Sequence, residues 1–162
     1  MAEELVVYDS FFGNTERIAR SIGNALGRPQ DVEILRVVDV KPEQLAGLKL
    51  LIVGSPTRAF SPSSAIKKFI RSIPKKGLKD VKVAAFDTRM TEEEIDSAVF
   101  ILRIMVNIFG YAAKSISDRL VKKGGELIAP PEGFFVHGME GPLKEGELER
   151  ASDWAKRILA KQ

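Results

Sequence analysis

The sequence predicts a doubly wound α/β sandwich, in which helices cover both faces of a central parallel sheet. Short, near-continuous apolar runs recur along the chain and are typical of strands that are buried on both faces. Segments with helical periodicity separate these runs. Because strand and helix alternate, right-handed crossovers are expected to place the strands side by side in one sheet.

The strands are predicted from apolar runs bounded by Gly, Pro, Ser or Asp. The uninterrupted runs, which belong in the centre of the sheet, are Leu5–Tyr8, Leu50–Val53 and Val81–Phe86. Val32–Val38 contains Glu33 and Arg36, and such charges suit an edge strand because they discourage unwanted pairing. Glu126–Ile128 and Phe134–Val136 are expected to form one last strand, interrupted by two prolines and therefore at the other edge.

The first two helices follow from apolar spacing and capping residues. Asn14–Leu26 carries Ile18 and Ile22 on one stripe. Ser61 is predicted to be the N-cap of the second helix, with Pro62 in its first turn.

Three more helices are predicted further along the chain. The residues Thr91-Glu92-Glu93-Glu94 form a capping box that opens the third. Ala112–Lys123 ends at a Gly-Gly pair, a common helix stop. Glu147–Lys161 carries a stripe of apolar residues, and Trp154 beside it is expected to pack in the core.

Length and composition limit the class of protein. A chain of 162 residues is expected to form one domain, residues 1–162. The chain has no cysteine and a single histidine, which excludes disulfides, thiolate chemistry and histidine-rich metal sites. The acidic N-terminus precedes an apolar run too short for a signal peptide, so we expect a cytoplasmic protein.

Charge distribution and hydropathy argue against two further classes, nucleic-acid-binding proteins and membrane-spanning proteins. The net charge is +3 and the pI about 9.2, but lysines and arginines are spread along the sequence without interleaved aromatic residues. We therefore expect no nucleic-acid partner. The longest strongly apolar segment, residues 95–109, is too short to span a bilayer.

The turn after the first strand is predicted to bind a phosphate group. In doubly wound sheets ligands bind beyond the carboxyl ends of the strands, and a helix N-terminus there offers free N–H groups and a positive dipole end. Gly13 allows close approach, and Ser10, Asn14 and Thr15 offer neutral hydrogen-bond donors. The chain contains neither GxxxxGK[ST] nor GxGxxG, so a single phosphate group fits better than a triphosphate. The alternative is an ordinary capped helix start.

These residues resemble a known family. The residues Ser10-Phe11-Phe12-Gly13-Asn14-Thr15-Glu16 are similar to the phosphate loop of flavodoxins, usually T-x-T-G-N-T-E. The residues Leu51–Thr57 and Gly124–Ile128 resemble the third strand with its loop and the approach to the last strand. The resemblance implies a flavodoxin-like three-layer sandwich, a five-stranded parallel sheet of order 2-1-3-4-5, and flavin mononucleotide (FMN) as the cofactor.

The resemblance also implies a cofactor site made of three stretches. The phosphate loop and helix start supply Ser10, Phe11, Phe12, Gly13, Asn14 and Thr15. The loop after the third strand supplies Ser55, Pro56, Thr57, Arg58, Ala59 and Phe60. The loop after the fourth strand supplies Asp87, Thr88 and Arg89. No catalytic side chain and no metal ligand is expected.

The sequence departs from the family pattern at both ends of this site. Phe12 replaces the usual Thr, which removes one phosphate-binding hydroxyl. Phe60 is expected to stack on the flavin, whereas the stretch after the fourth strand has no aromatic residue. If Arg58 and Arg89 lie close to the ring, the reduced, anionic flavin is stabilised and the protein is less reducing than the usual kind; if both point to solvent, this expectation lapses.

Residues 95–109 are apolar on most sides of a helical wheel. Three interpretations remain: core burial, a homodimer surface, and a lid facing a membrane surface or a substrate. The pairs Lys67-Lys68 and Lys122-Lys123 are interpreted as solvated helix faces that could receive an acidic redox partner.

Three functional hypotheses follow. The first is an FMN-binding electron carrier that exchanges electrons with partner proteins. The second is a flavodoxin-like oxidoreductase that acts on a quinone or another small acceptor, since the fold alone does not separate the two. The third is a flavin-free module that binds a protein partner.

Overall fold

The computed structural model describes residues 2–58, 60–91 and 110–162. The strands are β1 (Glu4–Tyr8), β2 (Val32–Arg36), β3 (Leu50–Pro56), β4 (Lys82–Met90), β5 (Glu126–Leu127) and β6 (Glu132–Val136). The helices within the described ranges are α1 (Asn14–Leu26), α2 (Ser64–Ser72), α3 (Ala112–Lys122) and α4 (Glu147–Ala160). The expected helix that opens at Thr91 and the apolar segment 95–109 fall on residues 92–109, outside the described residues.

The sheet is parallel and has the predicted order β2-β1-β3-β4-β5. The short strands β5 and β6 both pair with β4, β5 beside its first residues and β6 beside Phe86–Met90. They therefore form one interrupted edge, as the two prolines between them predict. The charged strand β2 lies at the opposite edge, also as predicted, but it ends at Arg36, where a short 3₁₀ turn begins.

Two apolar clusters hold the layers together, one on each face of the sheet. On one face α1 and α4 pack against alternate residues of the strands, and on the other α2 and α3 do the same. Trp154 lies in the first cluster, 3 % exposed, and meets Phe86 and Phe134 edge to face at about 6 Å between ring centroids. The core role predicted for Trp154 is confirmed.

The second helix begins later than the sequence suggested. Its N-cap is Ser63, whose hydroxyl accepts a hydrogen bond from the Ile66 N–H at 3.3 Å. Ser61 is not the cap, because its N–H and carbonyl both bond to Arg58 in a tight turn, at 2.9 and 3.0 Å. None of the helices in the described ranges is both long and apolar enough to cross a bilayer.

Candidate cofactor site

A cleft of about 370 Å³ opens at the carboxyl ends of β1, β3 and β4. Most of the residues predicted for the site line it: Ser10, Phe11, Phe12, Asn14, Thr15, Pro56, Thr57, Arg58, Phe60, Thr88 and Arg89. The fold therefore brings all three predicted stretches together, because the carboxyl ends of neighbouring parallel strands meet at one edge of the sheet.

The other four residues predicted for the site are not among those that line the cleft. Gly13 forms the turn behind it. Ser55 is fully buried, where its hydroxyl donates to the Pro56 carbonyl and accepts from the Ser63 N–H. Asp87 is also fully buried. Ala59 lies outside the described residues.

The turn between β1 and α1 presents amide hydrogens to the cleft. Gly13 is the N-cap residue in the left-handed conformation, φ 91°, and it has no side chain with which to cap the helix. The backbone N–H groups of Asn14, Thr15 and Glu16 meet no acceptor within the described part of the chain. These donors and the positive end of the helix dipole face one point, which suits an anion.

Hydrogen bonds hold this turn in place from behind. The Gly13 N–H donates to the hydroxyl of Ser10 at 3.0 Å, and Arg36 donates to the Ser10 carbonyl at 2.8 Å. Arg36 also lies 3.5 Å from the carboxylate of Asp9. The Ser10 hydroxyl thus accepts within the turn while its own hydrogen stays available to a ligand.

Two further side chains of the turn are positioned by distant parts of the chain. The hydroxyls of Thr15 and Thr88 lie 2.8 Å apart and share a hydrogen bond, which joins the start of α1 to the end of β4. Asn14 donates to the Glu140 carbonyl at 2.9 Å, which joins α1 to the turn after β6. Gly141 in that turn lies so close to Asn14 that a Cβ there would come within 2.5 Å of its side-chain amide.

The loop after β3 is a tight turn that carries Phe60 at the cleft wall. Phe60 adopts a positive φ of 66°, which is uncommon for an aromatic residue, and the paired bonds between Arg58 and Ser61 hold it there. The guanidinium of Arg58 lies 4.6 Å from the centroid of the Phe11 ring. This cation–π contact links the loop to the turn between β1 and α1 across the cleft.

The stretch Asp87–Arg89 is strand and not loop, which corrects the prediction from sequence. It belongs to β4 and pairs with β6, and this pairing extends β4 to Met90. Arg89 does not point to solvent: its Nε and Nη2 donate to the two carboxylate oxygens of Asp87 at 2.6 and 2.7 Å. The positive charge of Arg89 is therefore largely compensated, which weakens the expectation that it makes the flavin less reducing.

Asp87 accepts hydrogen bonds from several groups at the rear of the cleft. Its second oxygen also accepts from the Ala113 N–H at 2.9 Å, and the Thr57 side chain bonds to it as well. Burial raises the pKa of Asp87, while Arg89, Ala113 and Thr57 act in the opposite direction. The carboxylate joins β4, the loop after β3 and the start of α3.

The structure adds wall residues that sequence reasoning missed: Met90, Tyr111, Val136, Gly138 and Met139. The most informative is Tyr111, whose ring lies 3.7 Å from the guanidinium of Arg89. It supplies the aromatic residue that Asp87–Met90 lacks. No local pattern pointed to Tyr111, because it is 22 positions beyond Arg89 in the sequence.

These residues fit FMN by their chemistry. A helix start that no side chain caps, flanked by neutral hydroxyls, suits one phosphate group. The aromatic residues Phe60 and Tyr111, in walls built from different loops, suit a planar ring system. Within the described ranges no group of three or more acidic or histidine side chains could hold a metal ion.

Comparison with known proteins agrees with this fold. A family model described as flavodoxin domain matches residues 5–131. Flavodoxin 2 from Bacillus cereus is 25% identical, with a TM-score of 0.72, and the match covers 99% of this chain and 100% of that chain. A flavodoxin from the domain Archaea is 22% identical, with a TM-score of 0.72 and coverage of 98% and 96%.

The same fold also matches part of a larger protein. The rubredoxin oxygen:oxidoreductase of Desulfovibrio gigas is 20% identical with a TM-score of 0.67, and the match covers 96% of this chain but 35% of that chain. The family model spans most of the present chain, including the turn between β1 and α1, β3 and β4. The chain belongs to the flavodoxin-domain family.

Proposed function

We propose that the protein binds FMN and acts as an electron-transfer flavodoxin in the cytoplasm, with residues 1–162 as one domain. The observation that carries the proposal is the uncapped start of α1 at the end of a cleft with aromatic walls. FMN, when bound, supplies the redox chemistry, and the protein supplies binding, orientation and electrostatics.

Each part of the cleft has a role in this proposal. The amides of residues 14–16 hold the phosphate group, and the Ser10 hydroxyl donates a further hydrogen bond. The joined hydroxyls of Thr15 and Thr88 fix the distance between the phosphate turn and the ring site. Phe60 and Tyr111 exclude water from the ring, while Arg58 keeps the Phe11 side of the cleft in place.

The lining favours a carrier over an enzyme with its own acid–base chemistry. Among the described residues, no carboxylate, imidazole, thiol or amine lines the cleft. Electron exchange with a redox partner protein needs no such group, since the partner only has to approach the edge of the cofactor.

A visible absorption spectrum of the purified protein, followed by titration with FMN, riboflavin and FAD, tests the proposal. We expect a yellow protein that binds FMN at least about tenfold more tightly than riboflavin, because charged hydrogen bonds to phosphate contribute about 1.5–3 kcal/mol each. A colourless protein that refuses all three flavins would overturn the proposal and favour a flavin-free module that binds a protein partner.

A second candidate, an oxidoreductase that acts on a quinone or another small acceptor, is favoured by one observation. Phe11, Phe12 and Met139 line the cleft yet remain 49, 52 and 71% exposed. An apolar rim of this kind suits a planar apolar substrate. Steady-state oxidation of a nicotinamide by a quinone, with this protein as the only catalyst, would favour the enzyme, and its absence would favour the carrier.

A further inference from the structure

Two segments of the chain, on one face of the molecule, carry much of its positive charge. Segments 61–80 and 111–124 contain ten Lys or Arg residues and two acidic residues, a net charge of +8. Because the whole chain carries +3, the remaining residues carry −5. The ten cations, called the basic face below, are Lys67, Lys68, Arg71, Lys75, Lys76, Lys79, Lys114, Arg119, Lys122 and Lys123.

The fold brings together the two segments that carry these cations. The apolar residues of α2 and α3 enter the same core cluster, so the two helices lie on one side of the sheet and turn their charged residues outward. The Leu78 N–H donates to the Lys123 carbonyl at 3.0 Å, which joins the turn after α2 to the end of α3. Lys123 in turn donates to the Arg71 carbonyl at 3.4 Å.

Within the described ranges, acidic side chains neutralise little of this face. Lys114 pairs with Asp118 at 2.9 Å, and within the described ranges it is the only one of the ten cations with such a partner. Like charges held this close repel one another and oppose the compact state. An external anionic surface would relieve that repulsion, so the arrangement fits a polyanionic partner.

We propose that the basic face binds the anionic headgroups of a lipid membrane surface. Eight of the ten cations are lysines, and Lys is depleted in protein–protein interfaces, where Arg and aromatic residues are enriched. No aromatic side chain of α2 or α3 is exposed on this face, since Phe69 is buried, so bases of a nucleic acid would find no stacking partner.

Two further features fit a lipid surface. Val121, 47% exposed, lies among the cations of α3 and gives the face a small apolar contact for the boundary between headgroups and acyl chains. A shallow groove between α2 and α3, lined by Lys114, Lys122 and Lys123 among others, can receive a phosphate group. The cleft opens at the carboxyl edge of the sheet, so binding through the basic face leaves it accessible to other molecules. Lipid binding through this face does not require bound FMN.

Binding of the full-length protein to phosphatidylcholine vesicles that contain about one third phosphatidylglycerol tests the proposal. Flotation at low and at physiological salt measures the partition coefficient. We expect binding to the anionic vesicles, no binding to pure phosphatidylcholine vesicles, and loss of affinity as salt rises. Absence of binding to the anionic vesicles at low salt would overturn the proposal.

Two double variants distinguish the effect of the basic face on lipid binding from the effect of the protein's net charge. K68E/K122E changes the basic face, and K156E/K161E changes two exposed lysines, Lys156 in α4 and Lys161 directly after it, on the opposite side of the sheet. Both take the net charge from +3 to −1, because each Lys→Glu substitution removes two charges. We expect the partition coefficient to fall at least about tenfold for the first and less than about threefold for the second.

Equal losses in the two variants would mean that net charge alone drives binding, and the proposed face would be wrong. Binding of a short DNA duplex gives the remaining comparison. If the wild-type protein binds the duplex more tightly than the anionic vesicles, and K68E/K122E abolishes that binding, the partner is a polynucleotide and the lipid proposal fails.

Discussion

Asp87 and Arg89 form a two-point ion pair at the rear of the cleft, with donor–acceptor distances of 2.6 and 2.7 Å. Asp87 is fully buried, whereas the Arg89 side chain is 17% exposed and lines the cleft. The pair therefore connects the protein interior to the surface that a cofactor would touch. Its partners on β4, the loop after β3 and α3 make it a structural junction as well.

The Asp87→Asn variant tests the energetic role of this pair. It leaves the Arg89 guanidinium without its counter-charge, and removing one partner of a buried ion pair costs about 3–5 kcal/mol. We expect the free energy of unfolding, measured by urea denaturation, to fall by about 3 kcal/mol. The control, Asp118→Asn, breaks the exposed pair with Lys114 and should cost less than about 1 kcal/mol. Similar losses in both variants would contradict the interpretation.

Gly133→Ala tests whether Arg89 packs in a fixed position against Gly133 of β6. An added Cβ would lie 2.2 Å from Cζ of Arg89, so the guanidinium, fixed by Asp87, would have to move. We expect a loss of about 2 kcal/mol in the free energy of unfolding, because overpacking a fixed site costs about 1–3 kcal/mol. In an Arg89→Ala background the same substitution should cost much less, since the clashing atoms are gone. If the losses in stability from Gly133→Ala and Arg89→Ala simply add in the double variant, Arg89 is not the side chain with which the added Cβ clashes.

Glu147 predicts a pH dependence of stability. Burial tends to raise its pKa, but hydrogen bonds from Arg150 and from the Phe135 N–H outweigh burial and lower the pKa below its ordinary value of 4.5. A depressed pKa contributes stability that is present above about pH 4.5 and is lost as pH falls through the folded-state pKa. We expect Glu147→Gln to be less stable than wild type at neutral pH by about 2 kcal/mol, a difference that shrinks in acid.

Chemical denaturation of both proteins across the acid range measures this difference. Glu149→Gln, which changes an exposed carboxylate of the same helix turn, is the control and should stay within about 0.5 kcal/mol of wild type. A difference between wild type and Glu147→Gln that stays constant with pH would mean that the ionisation of Glu147 does not stabilise the fold.

Asn14→Asp tests the phosphate cradle that the proposed function requires. The substitution places a negative charge at the helix start and removes the donor that bonds the Glu140 carbonyl at 2.9 Å. We expect FMN affinity to fall at least about tenfold, because like charges close together repel, while riboflavin affinity changes little. Isothermal titration of the two flavins measures both constants.

The control for this prediction is Asn24→Asp, which adds the same charge near the far end of α1, where Asn24 is exposed. It should leave FMN affinity within about twofold of wild type. If Asn14→Asp weakens FMN and riboflavin equally, the start of α1 does not hold the phosphate group.

Much of the fold could be predicted from short-range patterns. Apolar runs of strand length and stripes of helical period report local burial, and the charges of Glu33 and Arg36 identified the edge strand β2. The turn between β1 and α1 could equally be predicted, since Gly13 and the polar residues around it occupy consecutive positions. The N-cap of α2 could not be predicted in this way, because Ser61 and Ser63 are both common N-cap residues. Only the backbone hydrogen bonds between Arg58 and Ser61 exclude Ser61 as the cap.

By itself the sequence determined the order of the strands and helices in the described ranges, the turn at residues 10–15 and the absence of cysteine chemistry, because these depend on neighbouring residues or on composition. Only the tertiary structure decided that Arg89 is bound to Asp87, that Tyr111 completes the cleft, and that α2 and α3, which carry many of the cations, lie on one side of the sheet. The second and third relationships join residues far apart in the chain and follow from the way the helices pack on the sheet. Asp87 and Arg89 are only two positions apart, and they come together because the pairing of β4 with β6 extends the strand and places both on one of its faces.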